Sequence, residues 1–247
     1  MACILWRGVA PLGCVAVVAS VVLPSVGVGE VIAPFNGKTL DGWAVREPRE
    51  RNRWVVAVAR LDPQDPTGLA VSAASDGKGE LVNATTWRRG SKEKRDVDLY
   101  TVQTFGDCTI ELEFMIPEGA NSGVYVMGEY EIQIKDSFGV ESLTFQDLGA
   151  IYKVAPARVN AARKAGQWQS LRIEFVAPRF EGEKKVANAR FVKVLLNGQV
   201  IHENVELTNV TPGGLTGKEV STGPLMFQGD HGPVAFRNIR ITLPTTR

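Results

Sequence analysis

Short segments in which apolar and polar residues alternate constrain the fold of this chain more than any other feature. Residues 109–116 carry Ile, Leu, Phe and Ile at alternate positions, with Glu111 and Glu113 between them. Residues 169–176 repeat the pattern. Successive residues of a β-strand point to opposite faces, so such alternation predicts strands with one buried face. No long segment after residue 29 has helical periodicity, and the chain is therefore predicted to be all-β.

Seven segments are short and rich in β-branched or aromatic residues, and each is predicted as a strand: residues 54–59, 69–73, 109–116, 169–176, 190–196, 200–207 and 238–243. Asn197-Gly198, between two of them, is a strong hairpin signal. Many short strands without helical crossovers predict an antiparallel two-sheet sandwich. No internal repeat or linker divides residues 30–247, which are interpreted as a single domain. Residues 155–166 are predicted to form a long loop of the kind that often borders a binding site.

The first 29 residues have the pattern of a signal peptide. Arg7 precedes an apolar run at residues 9–23, and small residues follow up to Gly29. The run is short for a membrane-spanning helix. Cleavage is predicted near Gly29, which would export the mature protein to the periplasm or the extracellular space. A retained N-terminal anchor is the alternative.

Charge and cysteine content exclude several classes of function. The chain has 28 Lys and Arg against 27 Asp and Glu, and Arg7 is the one charged residue before residue 30, so the mature net charge is zero. Nucleic acid and anionic membranes normally need a basic excess, and neither is an expected partner. The most basic run, residues 87–95, also contains Glu93 and is predicted to be a solvated loop. Cys108 is the one cysteine after residue 29, which excludes a disulfide or a cysteine-based zinc site.

Residues 121–136 are predicted to form a β-hairpin with a row of polar side chains. Gly128-Glu129 suits a two-residue II′ turn, and that register pairs Tyr125 with Ile132. The face opposite to Tyr125 then carries the polar side chains Glu131, Gln133 and Lys135. An acid, an amide and an amine in line suit a sugar-binding or catalytic surface. The solvated outer face of an antiparallel sheet would have the same pattern.

Several spaced motifs make the chain resemble the 3-keto-disaccharide hydrolase domain family over residues 33–244. They are FNGKTLDGW at 35–43, the segment 121–136, GAIY at 149–152, LNG at 196–198, and GP at 223–224 with FQGDHGPVAFRNI at 227–239. The resemblance implies a concanavalin A-like jelly roll that acts as a hydrolase or lyase on a carbohydrate. Met127 departs from the family pattern, in which Arg more usually precedes the Gly of the turn. The charged residues 179–185 also resemble an insertion.

The resemblance implies roles for individual residues. Glu131 and His231 are the candidate catalytic residues, and the candidate substrate-binding residues are Gln133, Asp136, Tyr125, Tyr152, Trp168 and Gln228. Asp136 is equally suited to cap a turn, and Trp168 to pack in the core rather than stack on a sugar ring. His231 lies in a Gly-flanked loop without a pattern that would bury it, whereas His202 is expected on the surface. We expect Glu131, Gln133 and His231 to line one pocket.

The chemistry implied by the family is proton abstraction next to a ketone. A carbonyl at C3 of the sugar acidifies the C2 proton, so one base, Glu131 or His231, can form an enolate and the glycosidic oxygen can leave from C1. Ordinary glycoside hydrolysis instead needs two facing carboxylates, for which Glu111 or Glu113 would have to lie beside Glu131. A divalent metal held by Asp136 and Glu131 is a further hypothesis. A non-catalytic carbohydrate-binding jelly roll is the alternative from another functional class.

Overall fold

A computed structural model describes residues 29–75, 77–87, 92 and 95–245, and in these ranges the regular secondary structure is almost entirely β-strand. The strands are β1 (Val31–Ile32), β2 (Trp43–Val45), β3 (Trp54–Leu61), β4 (Leu69–Ser72), β5 (Glu80–Asn83), β6 (Leu99–Phe105), β7 (Cys108–Met115), β8 (Asn121–Val126), β9 (Tyr130–Lys135), β10 (Gln169–Val176), β11 (Arg179–Glu181), β12 (Lys184–Ala187), β13 (Ala189–Leu196), β14 (Gln199–Leu207), β15 (Gly223–Phe227) and β16 (Val234–Thr242). A 3-10 turn spans Arg49–Arg51. No helix of the described residues has the length and apolar character to cross a membrane.

The strands form two large antiparallel sheets. The nine-stranded sheet has the order β14-β13-β10-β7-β16-β5-β3-β4, with β1 also paired to β16, and the five-stranded sheet has the order β2-β6-β15-β8-β9. Strands β11 and β12 pair separately as a hairpin. Several neighbours in the sheets are distant in sequence, as in β7 beside β16 and β8 beside β15. This interleaving brings residues 228–233, between β15 and β16, next to β8 and β9.

The two sheets pack face to face on one hydrophobic core. Phe227 of β15 and Phe236 of β16 stack with their ring centroids 3.9 Å apart, one ring from each sheet. Trp43 stacks on Phe227 from the five-stranded sheet, and Trp54 on Phe236 from the nine-stranded sheet. The predicted all-β, antiparallel two-sheet jelly roll is confirmed. The sheets pack in this way because each can bury its apolar face only against the other.

All seven predicted strands are present, and residues 169–176 match β10 to the residue. The Asn197-Gly198 turn is also confirmed, with positive φ angles of 51° and 81° that suit a type I′ hairpin. Residues 155–166 form an irregular loop as expected. The charged residues 179–185, which resemble an insertion, form most of the β11–β12 hairpin, and Lys185 pairs with Glu219 outside that hairpin at 2.5 Å.

The predicted register of the 121–136 hairpin is wrong by one residue. Residues 127–129 form the turn, with positive φ at Met127 and Gly128, and Tyr125 pairs with Glu131 instead of Ile132. A one-residue shift moves every side chain to the other face. The observed register turns the valines of β8 into the core and puts Tyr125 on the same face as Glu131. The turn sets this register, because it takes in Met127 as well as Gly128-Glu129, and both Met127 and Gly128 adopt positive φ.

His202 was expected at the surface, and this prediction is also wrong. The ring is 1% exposed and its Nε2 lies 2.7 Å from the carbonyl oxygen of Gly149. Burial holds the pKa of His202 below its ordinary value. The ring is therefore neutral, and its Nε2–H donates a hydrogen bond to Gly149. This bond connects β14 to the loop that follows β9.

Candidate functional site

A pocket lies on the outer face of the five-stranded sheet, on the side away from the core. It is made of two lobes that meet at β8 and β9. The smaller lobe has a volume of about 200 Å³ and contains Tyr125, Glu131 and Gln228. The larger, of about 300 Å³, contains Trp87, Arg95 and Lys135. Residues common to both lobes are Asn121, Gln133, Tyr152 and His231.

Glu131 is the buried carboxyl group of this pocket. It is 2% exposed, and burial raises its pKa to about 8, with the nearby acids Asp230 and Asp98 adding to the effect and the Tyr125 hydroxyl opposing it. The hairpin leaves room for it because residue 123 is glycine: a Cβ there would overlap Oε1 of Glu131. A carboxyl with such a pKa exchanges a proton near neutral pH, as general acid–base catalysis requires.

Tyr125 lies directly across the ladder from Glu131. Its hydroxyl lies 3.3 Å from the carbonyl oxygen of Pro212 and 3.5 Å from Nε2 of Gln228. Burial is the main cause that keeps the pKa of the Tyr125 hydroxyl well above the ordinary value for a phenol. Tyr125 is therefore a neutral hydrogen-bond donor at the base of the smaller lobe.

His231 forms the wall between the two lobes and has both ring nitrogens engaged. Nδ1 bonds to Oδ1 of Asp230, and Nε2 lies 2.9 Å from Nη1 of Arg95. Arginine has no lone pair to offer, so Nε2 is the acceptor and Nδ1 carries the ring proton. The Arg95 guanidinium also lies 3.7 Å from Asp230 and over the ring of Trp87, 5.2 Å from its centroid.

The loop that carries Asp230 and His231 is fixed by buried polar contacts. Asn83 of β5 donates its amide to the carbonyl oxygen of Gly229 at 2.7 Å, and the backbone N–H of Gly229 donates to Asp98 at 3.0 Å. Asp98 in turn pairs with Arg46 at 3.2 Å. A side chain at Gly229 would overlap the backbone of Val97. These contacts fix the backbone at Gly229, two residues before His231.

The loop after β9 completes the pocket. The backbone N–H of Gln133 donates to the carbonyl oxygen of Ala150, that of Gly149 donates to the carbonyl of Gln133, and that of Tyr152 donates to the carbonyl of Glu131. These bonds lay residues 149–152 along the free edge of β9. Tyr152 is thereby brought over both lobes, with the ammonium of Lys153 5.6 Å from its ring centroid.

Six of the eight residues proposed from the sequence come together in the pocket: Glu131, His231, Gln133, Tyr125, Tyr152 and Gln228. The other two lie elsewhere. Asp136 accepts the backbone N–H of Gly119 at 3.0 Å, the turn-capping role that was its alternative. Trp168 packs on the outer face of the nine-stranded sheet, where Arg237 lies 4.0 Å from its ring centroid, so it cannot stack on a sugar in this pocket.

The candidate partner carboxylates of β7 are far from Glu131 in the fold. Glu111 pairs with Arg172 at 2.7 Å, and Glu113 pairs with Arg237 at 2.6 Å, both on the outer face of the nine-stranded sheet. No three His, Cys, Asp or Glu side chains cluster as metal ligands anywhere in the described ranges. Met127 is 3% exposed and belongs to the hydrophobic core at the hairpin turn.

Arg95 and Asn121 were missed as candidate site residues. Arg95 belongs to a run of mixed charge that is ordinarily solvent-exposed, and no local signal distinguishes it from its neighbours. Asn121 did carry a signal, because it alternates with Tyr125 along β8. That signal was obscured by the wrong register.

Comparisons with known proteins agree with this fold. Residues 30–242 match the family of 3-keto-alpha-glucoside-1,2-lyase-like domains. A crystal structure from Parabacteroides distasonis, described as a candidate glycosyl hydrolase, is 26% identical over 86% of this chain and 83% of that chain, with a TM-score of 0.60. A second candidate glycosyl hydrolase from that organism is 16% identical over 87% of this chain and 94% of that chain, with a TM-score of 0.57. No curated protein matches the chain.

Proposed function

The chain belongs to the family of 3-keto-alpha-glucoside-1,2-lyase-like domains and is a carbohydrate-active jelly-roll protein, and we propose that it cleaves the glycosidic bond of 3-keto-glycosides by removing the C2 proton. The proposal rests on the burial of the Glu131 carboxyl group and on its raised pKa. A carboxyl group that is buried, with a pKa raised to about 8, is suited to take and return a proton in a sugar-sized pocket.

In the proposed reaction Glu131 acts in its ionised form as the general base. Its carboxylate takes the proton from C2, and the electrons of the C–H bond form the enolate of the C3 ketone. Those electrons then form the C1–C2 double bond as the bond from C1 to the glycosidic oxygen breaks. The departing oxygen takes up a proton, for which the newly protonated Glu131 is the nearest source. Addition of water to the double bond completes net hydrolysis.

Donors are available for the negative charge that develops on the C3 oxygen. Among the described residues Arg95 uses one N–H on His231, and the other N–H groups of its five can bind an oxygen in the larger lobe. The single O–H of Tyr125 lies between Glu131 and the carbonyl oxygen of Pro212, so Arg95 is the donor assigned to the C3 oxygen. Fixed donors aimed at a developing oxyanion stabilise the transition state without reorganisation.

Glu131 is a better base than His231 in this arrangement. The acceptor nitrogen of His231 already receives a hydrogen bond from Arg95, so taking a proton there would first require that bond to break. The Asp230–His231 pair instead orients the guanidinium. His231 is accordingly assigned a positioning role.

Turnover of matched substrates tests the proposal. The protein is expected to cleave a 3-keto-α-glucoside and to leave the unoxidised glucoside intact, because without the ketone the C2 proton is far too weakly acidic. Glu131→Gln should abolish cleavage while retaining binding of the substrate. Equal cleavage of both sugars would point to a two-carboxylate glycosidase, and binding without cleavage would support a carbohydrate-binding module.

We further propose that the protein is exported, since residues 1–29 have the composition of a signal peptide. The proposed signal segment lies outside the described residues, apart from Gly29. N-terminal sequencing of native material should give a chain that begins near residue 30. Full-length chain recovered from the cytosol would contradict export.

A further inference from the structure

Two amide oxygens at the junction of the two lobes have no hydrogen-bond partner in the described part of the chain. They are Oδ1 of Asn121 and Oε1 of Gln133, and both atoms are buried. The Gln133 side chain is 3% exposed. A buried acceptor without a donor is costly, and folded proteins pair nearly all such groups. Both residues line both lobes, so a bound molecule is positioned to supply the missing donors.

The orientation of Gln133 is set by its surroundings. Its Nε2 donates to the carbonyl oxygen of Gln146 at 3.3 Å, which leaves Oε1 as the free end of the amide. Another unpaired buried oxygen, Oδ1 of Asn83, lies outside both lobes. The two acceptors at the junction differ from it in belonging to residues that line the pocket.

The ladder places the two acceptors on one face at a short spacing. Asn121 pairs with Lys135 and Gly123 pairs with Gln133, so Asn121 and Gln133 are diagonal neighbours. Such neighbours lie about 7–8 Å apart at the backbone, close enough for both side chains to reach one pyranose ring. The space over Gly123, which pairs with Gln133, is filled by the Glu131 carboxyl group, so a sugar held by the two acceptors lies next to that group.

We propose that Asn121 and Gln133 are specificity-determining residues whose two oxygens accept hydrogen bonds from two hydroxyl groups of the bound sugar. This inference rests on the proposed function and deepens it. A neutral hydroxyl brings the proton that each oxygen lacks, whereas a carboxylate or phosphate at the same position brings none. The junction thus selects a neutral sugar with two free hydroxyls and rejects derivatives that are deoxygenated or anionic at those carbons.

Binding of methyl α-glucoside and its monodeoxy derivatives tests this assignment, with the full protein and without turnover. Removal of the hydroxyl at two ring positions should weaken binding by about ten- to a hundredfold each, since a buried acceptor is then left unpaired. The Gln133→Met variant lacks one of the two acceptors, so one of these two penalties should disappear in it. The other penalty should disappear in Asn121→Leu. Equal penalties in the wild type and both variants would overturn the proposal. It would also be overturned if the wild type bound all the deoxy sugars as tightly as methyl α-glucoside, or if it did not bind methyl α-glucoside at all.

Controls separate this result from misfolding and from failure of the proposed reaction. Gln169→Met removes an equally buried amide on β10, whose oxygen accepts a bond from the backbone of Arg163 at 2.9 Å, and should leave sugar binding unchanged. The monodeoxy series on the wild type needs no variant at all. Position-specific penalties without cleavage of the 3-keto sugar would contradict the proposed reaction and support the two acceptors. Cleavage of the 3-keto sugar with uniform penalties would support the reaction and contradict the two acceptors.

Discussion

Replacing Glu131 by Gln should stabilise the protein, and the gain should grow with pH. The folded protein holds the proton of Glu131 up to a pH of about 8, whereas the unfolded chain releases it near the ordinary value of 4.5. Between these values the unfolded state binds fewer protons, so the stability of the wild type falls as pH rises through the window. Gln has nearly the same shape and no charge to bury.

The size of the effect follows from the width of that window. Each pH unit is worth about 1.4 kcal/mol, so Glu131 costs about 3 kcal/mol at pH 7 and about 5 kcal/mol above pH 8. In a domain of this size 1 kcal/mol corresponds to roughly 2–4 °C in Tm. The variant is therefore expected to melt at least about 6 °C higher at pH 7 and close to the wild type at pH 4.

Urea unfolding followed by tryptophan fluorescence between pH 4 and pH 9 measures this difference. Glu129→Gln is the matched control, because Glu129 is also 2% exposed but accepts hydrogen bonds from Thr216 and Gly217 at 2.7 and 3.0 Å. That variant should be destabilised. A Glu131→Gln protein no more stable than the wild type at pH 8, or a gain that does not change with pH, would refute the assignment of Glu131 as a buried, protonated acid.

Three further outcomes are expected. With the 3-keto substrate, kcat/KM should rise about tenfold per pH unit from pH 5 and level off near pH 8, because Glu131 must be ionised to act as base; a profile that falls over this range would contradict the role. Arg95→Gln should lower kcat about a hundredfold with a small change in KM, and Arg95→Lys should restore part of it; unchanged turnover would exclude Arg95 as an oxyanion donor. Below about pH 6.5 the wild type should lose stability because the unfolded chain binds a proton at His202 that the buried ring does not, and urea midpoints at pH 5 and 7 should show a smaller loss for His202→Gln.

The architecture could be predicted from the sequence because its cause is local. Alternation in residues 109–116 and 169–176 reflects burial of one strand face, and Asn197-Gly198 marks a turn by its backbone preferences alone. The strands that were not predicted, among them β5 and β15, have five residues or fewer, apart from β6 with seven. All four residues of β5 are buried, so it shows no alternation between an exposed and a buried face.

The site could be predicted only in part, because it depends on which distant segments meet. The family motifs indicated Glu131 and His231, and the fold does bring them to one pocket. Arg95 reaches His231 across more than a hundred residues, which no spacing in the sequence reveals. The side on which Tyr125 lies depended on a single turn residue, and the burial of His202 depends on Gly149 in a loop that packs on it.

The fate of the C2 hydrogen tests the central claim most directly. A 3-keto-disaccharide deuterated at C2 is incubated with the protein, and the deuterium content of both the sugar product and the solvent is measured as cleavage proceeds. Proton abstraction by Glu131 predicts that deuterium passes to water as the bond is cleaved, and that Glu131→Gln releases none. Cleavage that retains the deuterium at C2 would contradict the account, because direct displacement at C1 leaves that hydrogen in place.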